Sequence, residues 1–395
     1  MPGTVITGAA ALARDNFKAL AGRRLGLITN QTGRVGEAHL ADLLANARGI
    51  RLVALYGPEH GVRGEAEAGA KVADGRDTRT GLPVFSLYGA TRKPTAAMLR
   101  GIDALVFDIQ DVGVRSYTYI STMGLAMQAA AEAGIGFVVL DRPNPIGGAY
   151  VSGFMLEPSR TSFVGQYPIP IVHGMTVAEL AVMIKQEGWL PGLENLDLEV
   201  AQCEGWGRGD RWPRTGLPWV LTSPNVPSFE SALFYPGIGL VGECLVNEGR
   251  GTPAPFTRFG APWLDARRAV EAFERTGFPG LRAAAESYTP RGIPNVAANP
   301  RFRDQRIHAV RFEADIVQAV TPLEIGIVAL VELQRQARAT GNPLFPDRLG
   351  MFHAISGTSR LHRAITGSVP AREIILSWQD EVQRFIRQRE QYLLY

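Results

Sequence analysis

Glu59 and His60 stand side by side between Pro58 and Gly61 in "YGPEHGVRG", directly after the apolar, β-prone run "RLVAL". A carboxyl and an imidazole are groups that move protons or hold a cation, and a proline before them stiffens the turn that aims them. Related groups recur where other apolar runs stop. Asn30, Gln31 and Thr32 follow "RRLGLIT"; Asp108, Gln110, Asp111 and Arg115 close and follow "IDALVFDI". Asp141, Arg142 and Asn144 close and follow "IGFVVLD", and His173 follows "YPIPIV". Turn chemistry favours Gly, Asn, Asp and Ser and does not explain Glu-His, Gln-Asp and Asp-Arg together. Plainer readings stand beside the chemical one. Asp108 and Asp111 could cap a helix or pair with Arg115, Asp141 and Arg142 could form a local ion pair, and His173 could be a satisfied core residue. Glu59 is hardest to explain this way, because Glu is a poor turn former and a poor N-cap.

These groups would share one edge if the runs before them are neighbouring strands. The runs "RRLGLIT", "IRLVALYG", "LPVFSLYG", "IDALVFDI", "IGFVVLD" and "YPIPIV" are short and continuously apolar, as parallel strands covered on both faces are. Helical segments lie between several of them. The clearest runs from residue 116 or 118 to 132, with Ile120, Met123, Gly124, Met127 and Ala131 along one side and Gly134 and Gly136 beyond its end. The expected fold is α/β: a Rossmann-like open, mostly parallel sheet, in which ligands bind beyond the carboxyl ends of the strands. The long Gly- and charge-rich connection over residues 57–81 reads as an active-site loop.

A capping box, Thr176 with Glu179, opens the next helix, and Gly188 closes it. The pattern then loosens over residues 189–227, which places a domain boundary there: 1–226 as the Rossmann-like part, 227–395 as a smaller α+β domain that contributes to the cleft. In the second part "TPLEIGIVALVELQRQARATG" reads as a boxed helix with Thr321 as cap, Pro322 at N1 and Glu324 at N3. "RIHAVRFEA" reads as a strand. "AREIILSWQDEVQRFIRQREQYLLY" reads as one long terminal helix with Ile374, Ile375, Trp378, Val382, Phe385 and Ile386 inward.

Composition bounds the rest. The 395 residues, 46% apolar and 20% charged, suit a two-domain globular protein. A net charge of +3 without a Lys/Arg stripe gives no case for nucleic acid. Cys203 and Cys244 form no metal pair and read as small buried hydrophobes. No apolar run reaches the ~18 residues of a membrane helix. The N-terminus lacks a basic n-region and a clear cleavage site, so no signal peptide is read. The expected location is the cytoplasm, or the periplasm or exterior if the N-terminus was trimmed. Nothing in the sequence sets an oligomeric state.

Among motifs, "GIGLVG" (Gly237, Gly239, Gly242) matches a dinucleotide fingerprint but follows no strand, and is rejected. P-loop and G-x-S-x-G motifs are absent. His60 and His173 with Asp108, Asp111 and Asp141 leave a metal cluster open as an alternative. In "NEGRGTPAPF", Glu248, Arg250 and Thr252 sit among glycines that let backbone approach a ligand. "TSPNVPSFES" adds Asn225 and Glu230 near the boundary, where both stretches could reach over the sheet edge.

The stretches "GLITNQTG", "YGPEHGVRG", "SLYG", "DIQDVGVRSYTYISTM", "LDRPNPIGG", "HGMTVAELA", "SPNVPS", "YPG", "EGRGTPAPFTRFGAPW" and "YLLY" resemble, in order, those of the exo-β-N-acetylmuramidases. The resemblance spans residues 25–395. It implies a Rossmann-like domain and a smaller C-terminal domain with the site between them. It further implies release of non-reducing terminal N-acetylmuramic acid from cell-wall fragments without a nucleotide cofactor, and a catalytic acid at Glu59. Two departures touch the site: Ser116 stands where an aromatic is expected, and "CLVN" before Glu248 is less polar than the family's pattern. Glycoside hydrolysis uses two carboxyls. The second is sought among Asp108, Asp111, Asp141 and Glu248, with Asp141 or Glu248 preferred. Arg115, Arg142 and Arg250 are the expected partners of the lactyl carboxylate. Asn30, Gln31, His60, Gln110, Tyr117, Asn144, His173, Asn225 and Thr252 complete the expected substrate contacts. A metal-dependent hydrolase and a non-catalytic muropeptide-binding protein are the alternatives.

Overall fold

The apolar runs are strands of one sheet in the computed structural model, which describes residues 4–64 and 74–395. The strands are β1 (Arg24–Thr29), β2 (Arg51–Gly57), β3 (Gly75–Arg76), β4 (Pro83–Ser86), β5 (Ala104–Asp108), β6 (Gly136–Leu140) and, after the short antiparallel pair β7 (Ser152–Met155) and β8 (Pro170–Val172), β9 (Leu198–Ala201). Their order across the seven-stranded sheet is β9-β6-β5-β1-β2-β4-β3. All neighbours run parallel except the edge hairpin β3–β4. From β1 the chain winds out through β2 and β4, then returns to the other side of β1 as β5. That reversal is where open α/β sheets bind ligands.

One strand assignment changes. "YPIPIV" is not in the seven-stranded sheet; β8 pairs with β7 and makes a single bridge to Val114. Pro168 and Pro170 supply no N–H to a ladder, which suits a short two-stranded ribbon rather than a central strand. The sixth parallel strand is β9, inside the stretch where the sequence pattern loosens. It is half-buried throughout, as an edge strand is, so it lacks the continuous apolar signature. The described part of the expected long loop is tied down by Arg63, which bridges Asp42 at 2.8 Å and Asp77 at 2.9 Å; residues 65–73 lie outside the described residues.

Helices α1 (Gly8–Ala13), α2 (Leu40–Asn46), α3 (Tyr119–Ala133) and α4 (Val177–Gln186) lie in the first part. The capping box of Thr176 and Glu179 forms, and Gly134 ends α3 in the left-handed conformation. The second part holds α5 (Phe229–Gly242), β10 (Arg258–Ala261), α6 (Ala266–Thr276), β11 (Leu281–Tyr288), β12 (Ile307–Ala314), α7 (Pro322–Thr340) and α8 (Gln379–Arg389). Its antiparallel sheet has the order β10-β12-β11. The glycines of "GIGLVG" lie within α5. Gly237 and Gly326 face each other so closely that a Cβ on Gly326 would sit 2.3 Å from the Gly237 Cα. Close helix packing accounts for both.

Two helix expectations are corrected. The capping box does not form: the Thr321 side chain makes no capping bond, and the Glu324 carboxylate is engaged elsewhere, accepting from Tyr150 Oη and Ser152 Oγ, both at 2.5 Å. The terminal helix is broken into Ala371–Leu376, α8 and a last 3₁₀ turn, with Ser377 Oγ bonded back to the Ile374 carbonyl at 2.6 Å. Its inward face is as expected, with Ile374, Trp378, Val382 and Phe385 buried. One apolar cluster runs from Ile28 to Tyr392 through both parts of the chain.

Candidate active site

β2 delivers Glu59. At its end, Gly61 N–H closes a turn onto the Pro58 carbonyl at 2.9 Å. His60, buried, takes φ 73° there. A non-glycine residue in the left-handed region is strained, and such strain collects at functional sites. The Leu87 N–H donates to the Gly57 carbonyl at 2.8 Å, stitching the loops after β2 and β4 together. This brings Tyr88 beside Glu59: burial, then the Glu59 carboxylate, raise the Tyr88 phenol above its ordinary range.

β5 and its loop deliver the next group. Thr118 sits at the N-cap of α3 without a side-chain capping bond. Its hydroxyl donates instead to Glu59 Oε2 at 2.8 Å. A cap is worth about 1 kcal/mol, so the helix forgoes that to hold a carboxylate. Tyr117 Oη donates to Thr222 Oγ1 at 2.7 Å and Tyr119 Oη to the Thr222 carbonyl at 2.5 Å. Gln31 Nε2 donates to the Leu221 carbonyl at 3.0 Å. These three side chains pin the segment that carries Ser223, Asn225 and Val226 against the end of the sheet.

The second part supplies the facing wall. Tyr235, on α5, packs edge-to-face on Tyr117 and Phe256. Glu243 follows α5, and burial raises its carboxyl above the ordinary range. Arg250 lies over Phe256 at 5.0 Å and is ion-paired with Glu248. Phe256 is a second strained residue, at φ 64° and 1% exposed.

Between these walls is a hollow of about 240 Å³, lined by Glu59, His60, Tyr88, residues 116–119, Asn225, Tyr235, Glu243, Arg250 and Phe256, with Val164, Met351 and Ile355 among its apolar contacts. Among the described residues its lining carboxyls are Glu59 and Glu243. Asn225 is fixed through Nδ2 on the Val296 carbonyl at 2.7 Å, while its buried Oδ1 has no partner among the described residues and can accept a bond from a ligand. Two carboxyls, one unspent acceptor and aromatic walls suit acid–base work on a polar ring.

Of the residues expected from sequence, Glu59, His60, Tyr117, Asn225 and Arg250 line the hollow. Glu248 stands behind Arg250 as its counter-ion, and Gln31 positions the 221–222 backbone. The others lie elsewhere, each for a visible reason. Asp108 and Arg142 form a buried two-pronged pair at 2.6 and 2.9 Å. Arg142 and Gln110 border a separate, mainly apolar hollow with Arg34, Trp212 and Leu217. Gln110 Nε2 donates to the Pro143 carbonyl at 2.8 Å. Arg115 is fully buried and spends its guanidinium on the carbonyls of Phe154, Ile169 and Ile355. Asp141 accepts from the Ala178 N–H at 3.0 Å and from Tyr395 Oη at 2.7 Å, joining the last residue to the sheet. Asn30 accepts from Thr32, and Asn144 Nδ2 donates to the Met175 carbonyl at 3.0 Å. Thr252 Oγ1 turns onto the Gly249 carbonyl at 2.7 Å. His173 follows β8 and is therefore off the sheet edge; burial pushes it down to about 3, which keeps it neutral. Asp111 is buried near Tyr117 and Tyr119, with Oδ2 accepting from the Gly113 N–H at 2.6 Å. Among the described residues no three of His, Cys, Asp and Glu gather as metal ligands, so the five residues of the metal alternative are dispersed. Both cysteines are buried and free. No helix of the described residues is long and apolar enough to cross a membrane.

Sequence reading missed Thr118, Tyr88, Tyr235 and Glu243. A signal existed for Glu243: it lies five residues before Glu248 in "GECLVNEGRG", just past the glycine motif "GIGLVG".

Family models match on both sides of this hollow. "Exo-beta-N-acetylmuramidase NamZ, N-terminal" covers residues 25–230 and its C-terminal counterpart residues 233–395. The chain belongs to the exo-β-N-acetylmuramidase family. The resemblance read from the motifs is thereby borne out, and the family makes this chain a glycoside hydrolase. The peptidoglycan β-N-acetylmuramidase NamZ of Bacillus subtilis (strain 168) is 40% identical over 397 residues, covering 99% of this chain and 91% of the relative. Two DUF1343 family proteins of Bacteroides fragilis NCTC 9343, known from crystal structures, share the fold. One has a TM-score of 0.90 at 38% identity, covering 99% of each chain. The other has 0.81 at 34% identity, covering 100% of this chain and 99% of its own.

Proposed function

We propose that the chain releases N-acetylmuramic acid from the non-reducing end of peptidoglycan fragments, with Glu59 and Glu243 as its two carboxyls. The observation that carries this reading is that both acids line one hollow of about 240 Å³. A space of that size, enclosed by residues from both parts of the chain, suits a terminal ring rather than the middle of a polymer. The B. subtilis relative's name supports the substrate class.

In this reading Glu59 donates its proton to the glycosidic oxygen as the C1–O bond breaks, and positive charge spreads over C1 and the ring oxygen. Glu243 faces that charge. Water supplies hydroxide to C1, and the proton it loses returns to a carboxylate, so the enzyme is restored. Thr118 and Tyr88 hold Glu59 in place. Asn225 Oδ1 accepts a hydrogen bond from the sugar, and Tyr117, Tyr235 and Phe256 present aromatic surface. Glu243 replaces Asp141 and Glu248 as the preferred second acid, because Asp141 is committed to Ala178 and Tyr395 and Glu248 to Arg250.

One observation favours the exchanged assignment, with Glu243 as the proton donor: burial raises it, and an acid must hold its proton near neutral pH. The reaction itself is tested by incubating the protein with N-acetylmuramyl-β-1,4-N-acetylglucosamine and weighing the products. Free N-acetylmuramic acid and N-acetylglucosamine in equal amounts are expected. Binding without cleavage over days would replace this function with a saccharide-binding one.

A further inference from the structure

N-acetylmuramic acid differs from N-acetylglucosamine by a lactyl ether that ends in a carboxylate. A site that prefers it needs a cation with coordination to spare. Of the arginines expected to serve, Arg115 is buried outside the lining of the hollow, with Nη1 and Nη2 bonded to three carbonyls. Arg142 is neutralised by Asp108. Arg250 reaches the hollow but is paired with Glu248. The cation that recognises the lactyl group therefore has to be found elsewhere around the hollow.

Arg92 has the required surroundings. It is exposed, and its guanidinium carbon lies 4.2 Å from the centre of the Phe163 ring and 5.9 Å from that of Tyr88. Tyr88 lines the hollow, as does Val164, the neighbour of Phe163. The two rings are 6.0 Å apart and form a shelf beside Glu59. Stacking on aromatic faces orients a guanidinium while leaving its edge N–H groups available. Among the described residues Arg92 has no carboxylate partner within ion-pair distance. The loop beneath it is turned by Thr91, whose Oγ1 donates to the Lys93 carbonyl at 2.7 Å.

We propose that Arg92, stacked on Phe163 and Tyr88 at the side of the hollow, is the specificity residue that receives the lactyl carboxylate of a muramyl sugar. This rests on the glycosidase reading above and deepens it. Arg92 reads the substituent on the sugar, on the same wall as the acid that reads the glycosidic bond. Arg301 is the contrasting cation: it is also exposed, but its charge falls on Glu243, on the facing wall.

The test compares two disaccharides, N-acetylmuramyl-β-1,4-N-acetylglucosamine and the same compound with the lactyl carboxyl converted to its amide. A two-pronged charged contact is worth roughly a 10- to 100-fold preference, so wild type should favour the acid by about that ratio in kcat/KM, chiefly through KM. In Arg92→Ala the ratio should fall to near one, and Arg92→Lys should restore part of it. Calorimetric binding of N-acetylmuramic acid and its lactyl amide gives the same comparison without turnover. A wild-type ratio near one, an unchanged ratio in Arg92→Ala, or a collapse in Arg301→Ala instead would overturn the assignment while leaving the glycosidase reading standing. Failure of wild type to cleave either compound or to bind either monosaccharide would overturn both.

Discussion

Asp111 offers a quantitative test of how the hollow is supported. It is buried near Tyr117 and Tyr119, with Oδ1 buried and without a hydrogen-bond partner among the described residues. Burial raises its carboxyl from 3.8 to about 7, against the opposing bonds from Gly113 and Val112. The folded pKa exceeds the unfolded one, so the fold keeps a proton that the unfolded chain has lost. Stability is therefore fully present below about pH 4, falls as pH rises toward about 7, and stays reduced above it. At about 1.4 kcal/mol per unit the full loss is on the order of 4 kcal/mol. Asp111→Asn removes that charge but places an N–H₂ group where Oδ1 lacks a partner, which costs about 1–3 kcal/mol. The variant should thus be more stable than wild type by roughly 1–3 kcal/mol at about pH 8.5 and less stable than it by roughly 1–3 kcal/mol at about pH 4. Urea unfolding at the two pH values measures this. A difference that is the same at both, or a variant less stable at the higher pH, would refute the reasoning.

Further outcomes follow from the same geometry. Thr118→Val removes the hydroxyl bound to Glu59 and should lower kcat/KM about 10- to 100-fold, with an unchanged melting transition as the check. Gly326→Ala drives a Cβ into the Gly237 backbone and should cost about 1–3 kcal/mol, read as a lower denaturation midpoint with wild-type cleavage products. Tyr395→Phe removes the phenol oxygen bonded to Asp141 and to the Cys203 N–H and should cost about 1–3 kcal/mol with little change in kcat, because Asp141 lies outside the hollow.

The sheet was legible in the sequence because strands covered on both faces need unbroken apolar runs, and β1, β2, β4, β5 and β6 have them. β9 escaped notice because an edge strand is half-exposed and carries no such run. The Glu59 turn was legible because a carboxyl after proline, followed by His and Gly, fits no ordinary turn. The charged side chains around it were not. Sequence shows that Arg115, Arg142 and Asp141 follow strands, but not that one spends its donors on carbonyls, one on a buried carboxylate, and one its acceptors on a helix start and a terminal tyrosine. The aromatic wall was missed for the same reason. Tyr88 and Tyr235 look like core residues until the second part of the chain folds back over the first, and Glu243 becomes a site candidate only once α5 ends beside Tyr117.

The most direct test of the central claim is the leaving-group dependence of Glu59→Gln, with Glu243→Gln beside it. The substrates are the natural disaccharide and a 2,4-dinitrophenyl β-glycoside of N-acetylmuramic acid, whose leaving group needs no proton. Glu59→Gln should lose about 10²- to 10⁴-fold in turnover on the disaccharide and far less on the activated glycoside, while Glu243→Gln should lose activity on both. Near-wild-type turnover of the disaccharide by Glu59→Gln would contradict the account.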